Sequence, residues 1–295
     1  MGIAVKGLVK VYRIGGVEVQ ALRGLSMDIK EGEMVSVIGP SGSGKTTLLN
    51  IVGGLDKATA GSVRVGDTDV TAFNTSQLVD FRRKTVGHIF QTLNLLPTLT
   101  AAENVELPMI AMGVSRSKRG ERVKTLLEVV GLTDRAKHKP DELSGGEQQR
   151  VAIAAALAND APVLLADEPT GELDTVNAKI VADFLTKVNR DLGKTIIMVT
   201  HDPSIARAAD RILRIEDGMI KASLTPTQLM EPATAISYVD QIRARIADID
   251  TQIEKLDKDF KAGKISGDEY VEQRQRLKQT RDGLRDELHR MGVVT

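Results

Sequence analysis

The chain has 295 residues, 41% of them hydrophobic, which is enough for a large packed domain and excludes disorder throughout. Lys and Arg residues number 40, as do Asp and Glu residues, so the formal charge is zero and no general basic surface for nucleic acid is expected. Cysteine is absent, which excludes disulfide scaffolds and thiolate metal sites.

The beginning of the chain lacks the basic and then apolar pattern of a signal peptide, so we do not expect export. No uncharged apolar run approaches the roughly 18 to 20 residues that span a bilayer. Any membrane role is therefore expected to come through a partner.

Residues 1 to about 221 alternate short β-branched runs with helical patterns, which predicts an α/β domain with a largely parallel sheet. The runs before Gly32 and at 62–65 are more typical of antiparallel strands. The clearest parallel strands are apolar along their whole length, as expected for strands buried on both faces: 34–38, 86–90, 163–166 and 195–200.

Between about Thr98 and Pro140 the pattern becomes helical, with charged residues between apolar ones. We interpret this stretch as part of a helical subdomain inserted at about 92–160. Its apolar helix faces are expected to include Leu126, Leu127, Val129, Val130 and Leu132.

A change in composition after Leu224 predicts a linker at 225–234, punctuated by Pro226 and Pro232, and then a helical tail at 235–295. Apolar residues recur there at alternating spacings of three and four, which predicts a coiled-coil helix: Val239, Ile242, Ile246, Ile249, Ile253, Leu256 and Phe260. Gly263 and Gly267 interrupt it. A capping box formed by Ser266 and Glu269 then predicts a second helix through Tyr270, Leu277, Leu284 and Leu288, so we expect an antiparallel hairpin.

The segment 39–46 reads GPSGSGKT, follows an expected strand and opens an expected helix, which is the context of a phosphate-binding loop. Its glycines let backbone N–H groups turn toward phosphate oxygens at a helix N-terminus whose dipole favours anions. We expect Lys45 to neutralise the β and γ phosphates and the Thr46 hydroxyl to bind Mg²⁺. The expected nucleotide ligands are Gly39, Pro40, Ser41, Gly42, Ser43, Gly44, Lys45, Thr46 and Thr47.

The strand expected at 163–166 ends in two carboxylates, Asp167 and Glu168. Asp167 is placed to hold the Mg²⁺ shell. Glu168 should point elsewhere, because side chains alternate along a strand, and so could polarise the attacking water as a general base. Two such acids alone are ordinary solvated turn residues about half the time, but beside a phosphate loop they indicate nucleotide hydrolysis.

The segment 143–150, LSGGEQQR, resembles the signature sequence of ABC ATPases. Ser144 is expected to cap a helix, and Gly145 and Gly146 to let backbone amides approach an anion. The resemblance covers residues 1 to about 224. It implies ATP hydrolysis on an α/β phosphate-loop NTPase core with a parallel sheet, an antiparallel β part and an inserted helical subdomain.

The same resemblance implies roles for four further residues. Tyr12 matches the aromatic residue that stacks on adenine, although such a Tyr alone is more often a packing residue. Gln91 matches the glutamine that contacts the metal and the attacking water. Asp174 matches the loop that crosses a dimer interface, and His201 matches the histidine that holds the γ-phosphate.

Two positions depart from the family pattern. Glu172 stands where a small or amide residue is usual, and Ala155 where an Arg is common. Neither change removes a catalytic group, so we expect any effect to fall on dimer affinity rather than on nucleotide binding.

The resemblance also implies two partners. One is a second copy of the chain, whose Ser144 and Gly146 would close over the γ-phosphate, and the other is a set of membrane-spanning permease subunits, which would hold this chain at the cytoplasmic face of the cell membrane. The segments 53–56 and 90–109 are similar to the macrolide-exporter and lipoprotein-release group. A cell-division ATPase that controls wall hydrolases is the close alternative.

Two other classes remain open. One is an ABC ATPase that remodels nucleic acid or ribosomes without transport, but the chain has a single set of motifs, and its tail carries as many Lys and Arg as Asp and Glu residues. The other makes the tail an oligomerisation or docking hairpin, because 259–270 is similar to a short helical module attached to many unrelated proteins.

Overall fold

The computed structural model describes residues 1–230 continuously. Beyond them it describes 246, 249–250, 252–253, 256–257, 260, 270, 273–275, 277–278, 281–282 and 285. The chain divides into two units, Met1–Leu229 and Met230–Thr295.

The first unit contains two sheets. A four-stranded antiparallel sheet has the order β2-β1-β4-β5. Its strands are β1 (Ile3–Ile14), β2 (Val17–Ile29), β4 (Ala60–Val65) and β5 (Thr68–Asp69). The antiparallel pairing predicted for the runs before Gly32 and at 62–65 is confirmed.

The second sheet has six strands in the order β10-β9-β3-β8-β7-β6. All neighbours are parallel except β10, which pairs antiparallel with β9. The strands are β3 (Met34–Ile38), β6 (Val86–Ile89), β7 (Val163–Asp167), β8 (Thr195–Val199), β9 (Arg211–Glu216) and β10 (Met219–Leu224). The four predicted parallel strands are confirmed, with ends that differ by at most one residue.

Apolar side chains cover both faces of this sheet. Along β8, Ile196 and Met198 belong to one buried cluster, whereas Ile197 and Val199 belong to another. This division follows from the alternation of side chains along a strand and explains why the parallel strands are continuous apolar runs.

The α-helices within residues 1–230 are α1 (Lys45–Val52), α2 (Thr75–Lys84), α3 (Ala101–Ala111), α4 (Arg116–Val129), α5 (Gly145–Ala156), α6 (Thr175–Leu192), α7 (Pro203–Ala206) and α8 (Pro226–Met230). The helical segment expected after Gln91 is present as α3 and α4. Four of its five predicted apolar positions are buried, but the prediction for Val129 was wrong: at the end of α4 it is 45% exposed.

The start of the expected linker is helical. Pro226 opens α8, where its missing N–H costs no hydrogen bond. The backbone N–H of Gln228 donates to the Thr225 hydroxyl, and that of Thr225 donates to the Gln228 side chain, so the pair forms a reciprocal cap.

Hydrogen bonds and ion pairs connect described residues of the second unit that are far apart in the sequence. Asp257 contacts Tyr270 and Arg274, and Asp250 contacts Arg281. As the residue number rises from Asp250 to Asp257, the number of the partner falls from Arg281 to Arg274, which is the pattern of two antiparallel segments. The heptad positions Ile249 and Ile253 are buried. The following predicted positions lie outside the described residues: Val239, Ile242, Gly263, Ser266, Gly267, Glu269, Leu284 and Leu288.

None of the helices within the described residues has the length and apolar character required to cross a bilayer.

Candidate active site

Four loops that leave the parallel strands meet at one edge of the six-stranded sheet. They follow β3, β6, β7 and β8 and carry Gly39, Gln91, Glu168 and the Thr200–His201 pair close to the strand ends. Because the carboxyl ends of parallel strands point the same way, residues that are far apart in the sequence converge there.

The loop between β3 and α1 curls around the side chain of Lys45. The Lys45 ammonium donates to the carbonyl oxygens of Gly39 and Pro40, both at 2.9 Å, and the side chain is buried. Gly44 caps α1 with φ of 99°, and a Cβ atom there would lie 2.5 Å from the carbonyl oxygen of Ala21. Only glycine meets both conditions, so this position is fixed by conformation and by packing.

The two residues expected to bind Mg²⁺ are in contact. The Thr46 hydroxyl at the start of α1 donates to Asp167 Oδ1 at the end of β7, over 3.2 Å. Burial raises the pKa of Asp167, the hydrogen bond from Thr46 opposes that rise, and the neighbouring charge of Glu168 adds to it. A hydroxyl and a carboxylate held together are oxygen ligands of the kind that Mg²⁺ prefers.

Glu168 and His201 form a second pair. His201 Nδ1 lies 2.8 Å from Glu168 Oε2, and the His201 backbone N–H donates to the same oxygen. The prediction that strand alternation sets the direction of Glu168 was wrong, because β7 ends at Asp167. Glu168 instead has φ of 48°, in the left-handed region, where its backbone N–H donates to the carbonyl oxygen of Val199.

A cleft of about 390 Å³ brings most of the predicted residues together. Its lining comprises Gly39, Ser41, Gly42, Gly44, Lys45, Thr46, Thr47, Gln91, Glu168, His201 and Ala21. The sequence did not indicate Ala21, which reaches the cleft because the β1–β2 register shifts: Lys10 pairs with Leu22 and Val11 with Gln20. This β-bulge leaves Ala21 unpaired on the long strand β2.

Pro40, Ser43 and Asp167 adjoin this cleft without lining it, and the remaining predicted residues lie elsewhere: Tyr12, Ser144, Gly145, Gly146 and Asp174. The Tyr12 hydroxyl donates to Asp56 Oδ2 over 2.7 Å. Ser144 caps α5 in a capping box with Glu147, which confirms its predicted cap.

Asn177, which the sequence did not indicate as a site residue, hydrogen-bonds to Asp174 and lies against Gly146. Asp174 caps α6 and accepts hydrogen bonds from the Asn177 backbone N–H, at 2.9 Å, and side-chain amide, at 2.6 Å. A Cβ atom on Gly146 would lie 2.5 Å from Asn177 Oδ1. The start of α5 and the cap of α6 are therefore packed together without room for a larger residue.

A phosphate loop, a hydroxyl–carboxylate pair and an acid–histidine pair around one polar cleft define a nucleotide-hydrolysing protein of the phosphate-loop class. Comparison with known proteins gives its family. The model of the ABC transporter family matches residues 22–171.

Two relatives and one solved structure illustrate the similarity. The chain is 50% identical over 212 residues to an ABC transporter ATP-binding protein of Thermotoga maritima, covering 72% of this chain and 90% of the relative. It is 46% identical over 246 residues to the macrolide export ATP-binding/permease protein MacB of Rhodopseudomonas palustris, covering 82% and 37%. A solved dimeric ATP-binding cassette in a post-hydrolysis state with ADP and phosphate has a TM-score of 0.71 and 43% identity, covering 76% and 98%.

The chain therefore belongs to the ABC transporter family. It is an ATP-binding, ATP-hydrolysing subunit, and the predicted fold class is confirmed. Macrolide exporters among the relatives confirm the predicted resemblance to that group and do not favour the cell-division alternative.

Proposed function

We propose that this chain powers a membrane-bound exporter or lipoprotein-release complex by closing as a homodimer around two Mg·ATP molecules. The observation that carries this proposal is the cleft in which Lys45, Gln91, Glu168 and His201 surround one polar space. The relatives named above include proteins in which a cassette of this kind is joined to a permease in one chain.

The residues of one subunit divide the chemistry between them. The phosphate loop and Lys45 bind the β and γ phosphates of ATP, and Thr46 with Asp167 would hold the Mg²⁺ that offsets phosphate charge. Glu168 accepts the proton of the attacking water as the water oxygen bonds to the γ-phosphorus and ADP leaves. His201, hydrogen-bonded to Glu168, fixes the carboxylate and faces the γ-phosphate.

The signature segment completes the site from the other subunit. Ser144, Gly145 and Gly146 stand at the N-terminus of α5, where backbone N–H groups and the helix dipole favour an anion. They do not line the cleft of their own subunit, so a partner supplies them. The similar solved cassettes are dimeric, which supports this arrangement.

A groove beside the site is suited to the membrane partner. It has a volume of about 260 Å³ and is lined in part by Phe90, Leu93 and Leu107. Leu107 and Ile110 on α3 are also 40% and 49% exposed. Since Gln91 directly follows Phe90, movements of Gln91 would displace a permease coupling helix bound in this groove. The bound permease would also hold the chain at the cytoplasmic face of the membrane.

The test of the chemistry is Glu168→Gln, which keeps the shape of the side chain and removes the base. We expect ATP binding within a few-fold of the wild type and a fall in turnover of about a hundredfold or more, because general-base catalysis typically contributes 10²–10⁴-fold. Glu128→Gln, an equal change on the exposed side of α4, is the control and should keep normal activity. A Glu168→Gln variant that hydrolyses ATP at the wild-type rate would remove Glu168 from the mechanism.

The test of the partner is copurification with the tagged Glu168→Gln protein, extracted in mild detergent with ATP and Mg²⁺. A polytopic membrane protein in stoichiometric amount supports the transporter proposal. Recovery of the ATPase with RNA, or without any membrane protein, contradicts it. The same extraction with Leu107→Glu should lose the membrane protein, because the substitution places a charge on the proposed docking surface.

A further inference from the structure

Three side chains from two separate parts of the first unit form a compact network. Lys10 and Tyr12 lie on β1, whereas Asp56 lies in the loop that follows α1. The Asp56 carboxylate accepts one hydrogen bond from the Lys10 ammonium, over 2.6 Å, and one from the Tyr12 hydroxyl, over 2.7 Å. The Lys10 ammonium also lies 4.7 Å from the centre of the Tyr12 ring.

The carboxylate at the centre of this network is itself held in place. The Lys57 backbone N–H donates to Asp56 Oδ1 over 2.7 Å, and the Lys57 carbonyl oxygen accepts from Lys10 over 2.8 Å. Two hydrogen bonds of Thr59 then fasten the loop to the edge of β1. The Lys10 and Asp56 side chains are only 12% and 29% exposed, so water weakens their attraction less than at an open surface.

We propose that Asp56 and Lys10 are positioning residues for the nucleobase: they fix the ring of Tyr12 with one face under Lys10 and leave the opposite face for the base. The proposal rests on the proposed function and on the adenine-stacking role that the family resemblance implies for Tyr12. The network explains why Tyr12 presents a defined face. A Tyr ring on a hairpin without such contacts would rotate freely, and its loss of conformational entropy would weaken binding of the base.

The charge of the network favours stacking as well as order. Burial raises the pKa of Asp56, but the hydrogen bonds from Lys10 and Tyr12 outweigh that effect and lower it, so the carboxylate is ionised at neutral pH. A cation over one face of an aromatic ring is attracted to its electrons. The opposite face of Tyr12 is thereby made less electron-rich and a better stacking surface for an electron-rich purine.

The network also connects the base to the phosphates. Asp56 follows α1, and the first turn of α1 carries Thr46 and Thr47, which line the phosphate cleft. A single short helix therefore separates the residue that orients Tyr12 from the residues at the phosphates. We expect Asp56 to set the distance between base and triphosphate, and so to act on ATP affinity rather than on the rate of hydrolysis.

The experiment compares ATP with inorganic tripolyphosphate, which carries the phosphates but has no base. In the full chain, Asp56→Asn is expected to raise the KM for ATP by about three- to tenfold, the equivalent of one ordinary hydrogen bond, with kcat within twofold of the wild type. The inhibition constant of tripolyphosphate should not change. Glu18→Gln, which alters the exposed Arg13–Glu18 pair on the same hairpin, is the matched control and should leave all three constants unchanged.

A double-mutant cycle isolates the hydroxyl. Tyr12→Phe removes the hydroxyl, and with it the hydrogen bonds to Asp56 and Thr47, without changing a charge. It should therefore raise the KM, and Asp56→Asn should add little in that background. If Asp56→Asn does not fold, Tyr12→Phe, measured with ATP and with tripolyphosphate, still tests the positioning role. An equal weakening of both ligands, or an unchanged KM in either variant, overturns the positioning role.

These outcomes differ from failure of the proposed function. If the proposed function were wrong, the wild type itself would not hydrolyse ATP, or Glu168→Gln would hydrolyse it normally.

Discussion

His88 provides a test of the packing between β6 and the phosphate-loop helix. It is stacked on Phe90, with ring centres 5.4 Å apart, and its Nε2 lies 3.4 Å from the carbonyl oxygen of Gly53. A Cβ atom on Gly53 would lie 2.2 Å from the His88 ring. Burial, together with the nearby positive charge of Arg82, lowers the pKa of His88 from 6.5 to about 4, against the opposing effect of the Gly53 hydrogen bond.

The direction of the pH dependence follows from the difference in proton binding between the folded and the unfolded chain. Between pH 6.5 and pH 4 the unfolded chain protonates His88 while the folded chain does not, so stability falls as the pH is lowered through that window. The full difference corresponds to about 3 kcal/mol, of which about 2 kcal/mol is lost by pH 5. Above pH 7 this group has no further effect.

The assay is thermal or urea unfolding of the wild type and His88→Phe at several pH values from 7.5 to 4.5. Phe keeps an aromatic ring against Phe90 and cannot take up a proton. The wild type should lose more stability than the variant as the pH falls, with a difference of about 2 kcal/mol at pH 5. Parallel pH curves for the two proteins would refute the assignment of a neutral, half-buried His88.

Two further predictions concern the signature segment and the metal. Gly146→Ala places a methyl group against Asn177 Oδ1, which should cost about 1–3 kcal/mol, and Asn177→Ala should recover part of that loss in thermal unfolding of the double variant. Additive effects would contradict the contact. Because burial raises the pKa of Asp167, Mg·ATP binding should weaken with falling pH sooner than for an ordinary Asp, and should release a proton near that raised pKa. Calorimetry in buffers of different ionisation enthalpy measures this proton, and Asp167→Asn should abolish its release.

Most of the fold could be predicted from local sequence patterns. The parallel strands are apolar on both faces, so β3, β7 and β8 were recognisable from composition alone, and capping patterns located the start of α5. Local motifs also indicated residues in and beside the cleft, because the phosphate loop and the two acids at the end of β7 are each continuous in sequence. The topology of the parallel sheet then explains how they meet.

Other features depend on contacts between distant segments and carry no local signal. The left-handed conformation of Glu168 follows from its hydrogen bond to Val199, and Ala21 reaches the cleft through a bulge set by the pairing of two long strands. Asn177 is important because Gly146 lies against it. Val129 fits the apolar pattern of its helix but lies at the end of α4, where no neighbour covers it fully.

In the proposed mechanism one subunit holds only part of the ATP site, and ATP joins two copies. The direct measurement is the molar mass in solution of Glu168→Gln, by light scattering, with Mg·ATP, with Mg·ADP and without nucleotide. We expect a dimer with ATP alone, and a monomer with ATP when Ser144→Arg is added, because the new side chain would meet the partner's phosphate site. A monomer that is saturated with ATP, or a dimer that does not depend on nucleotide or on Ser144, would contradict the composite site.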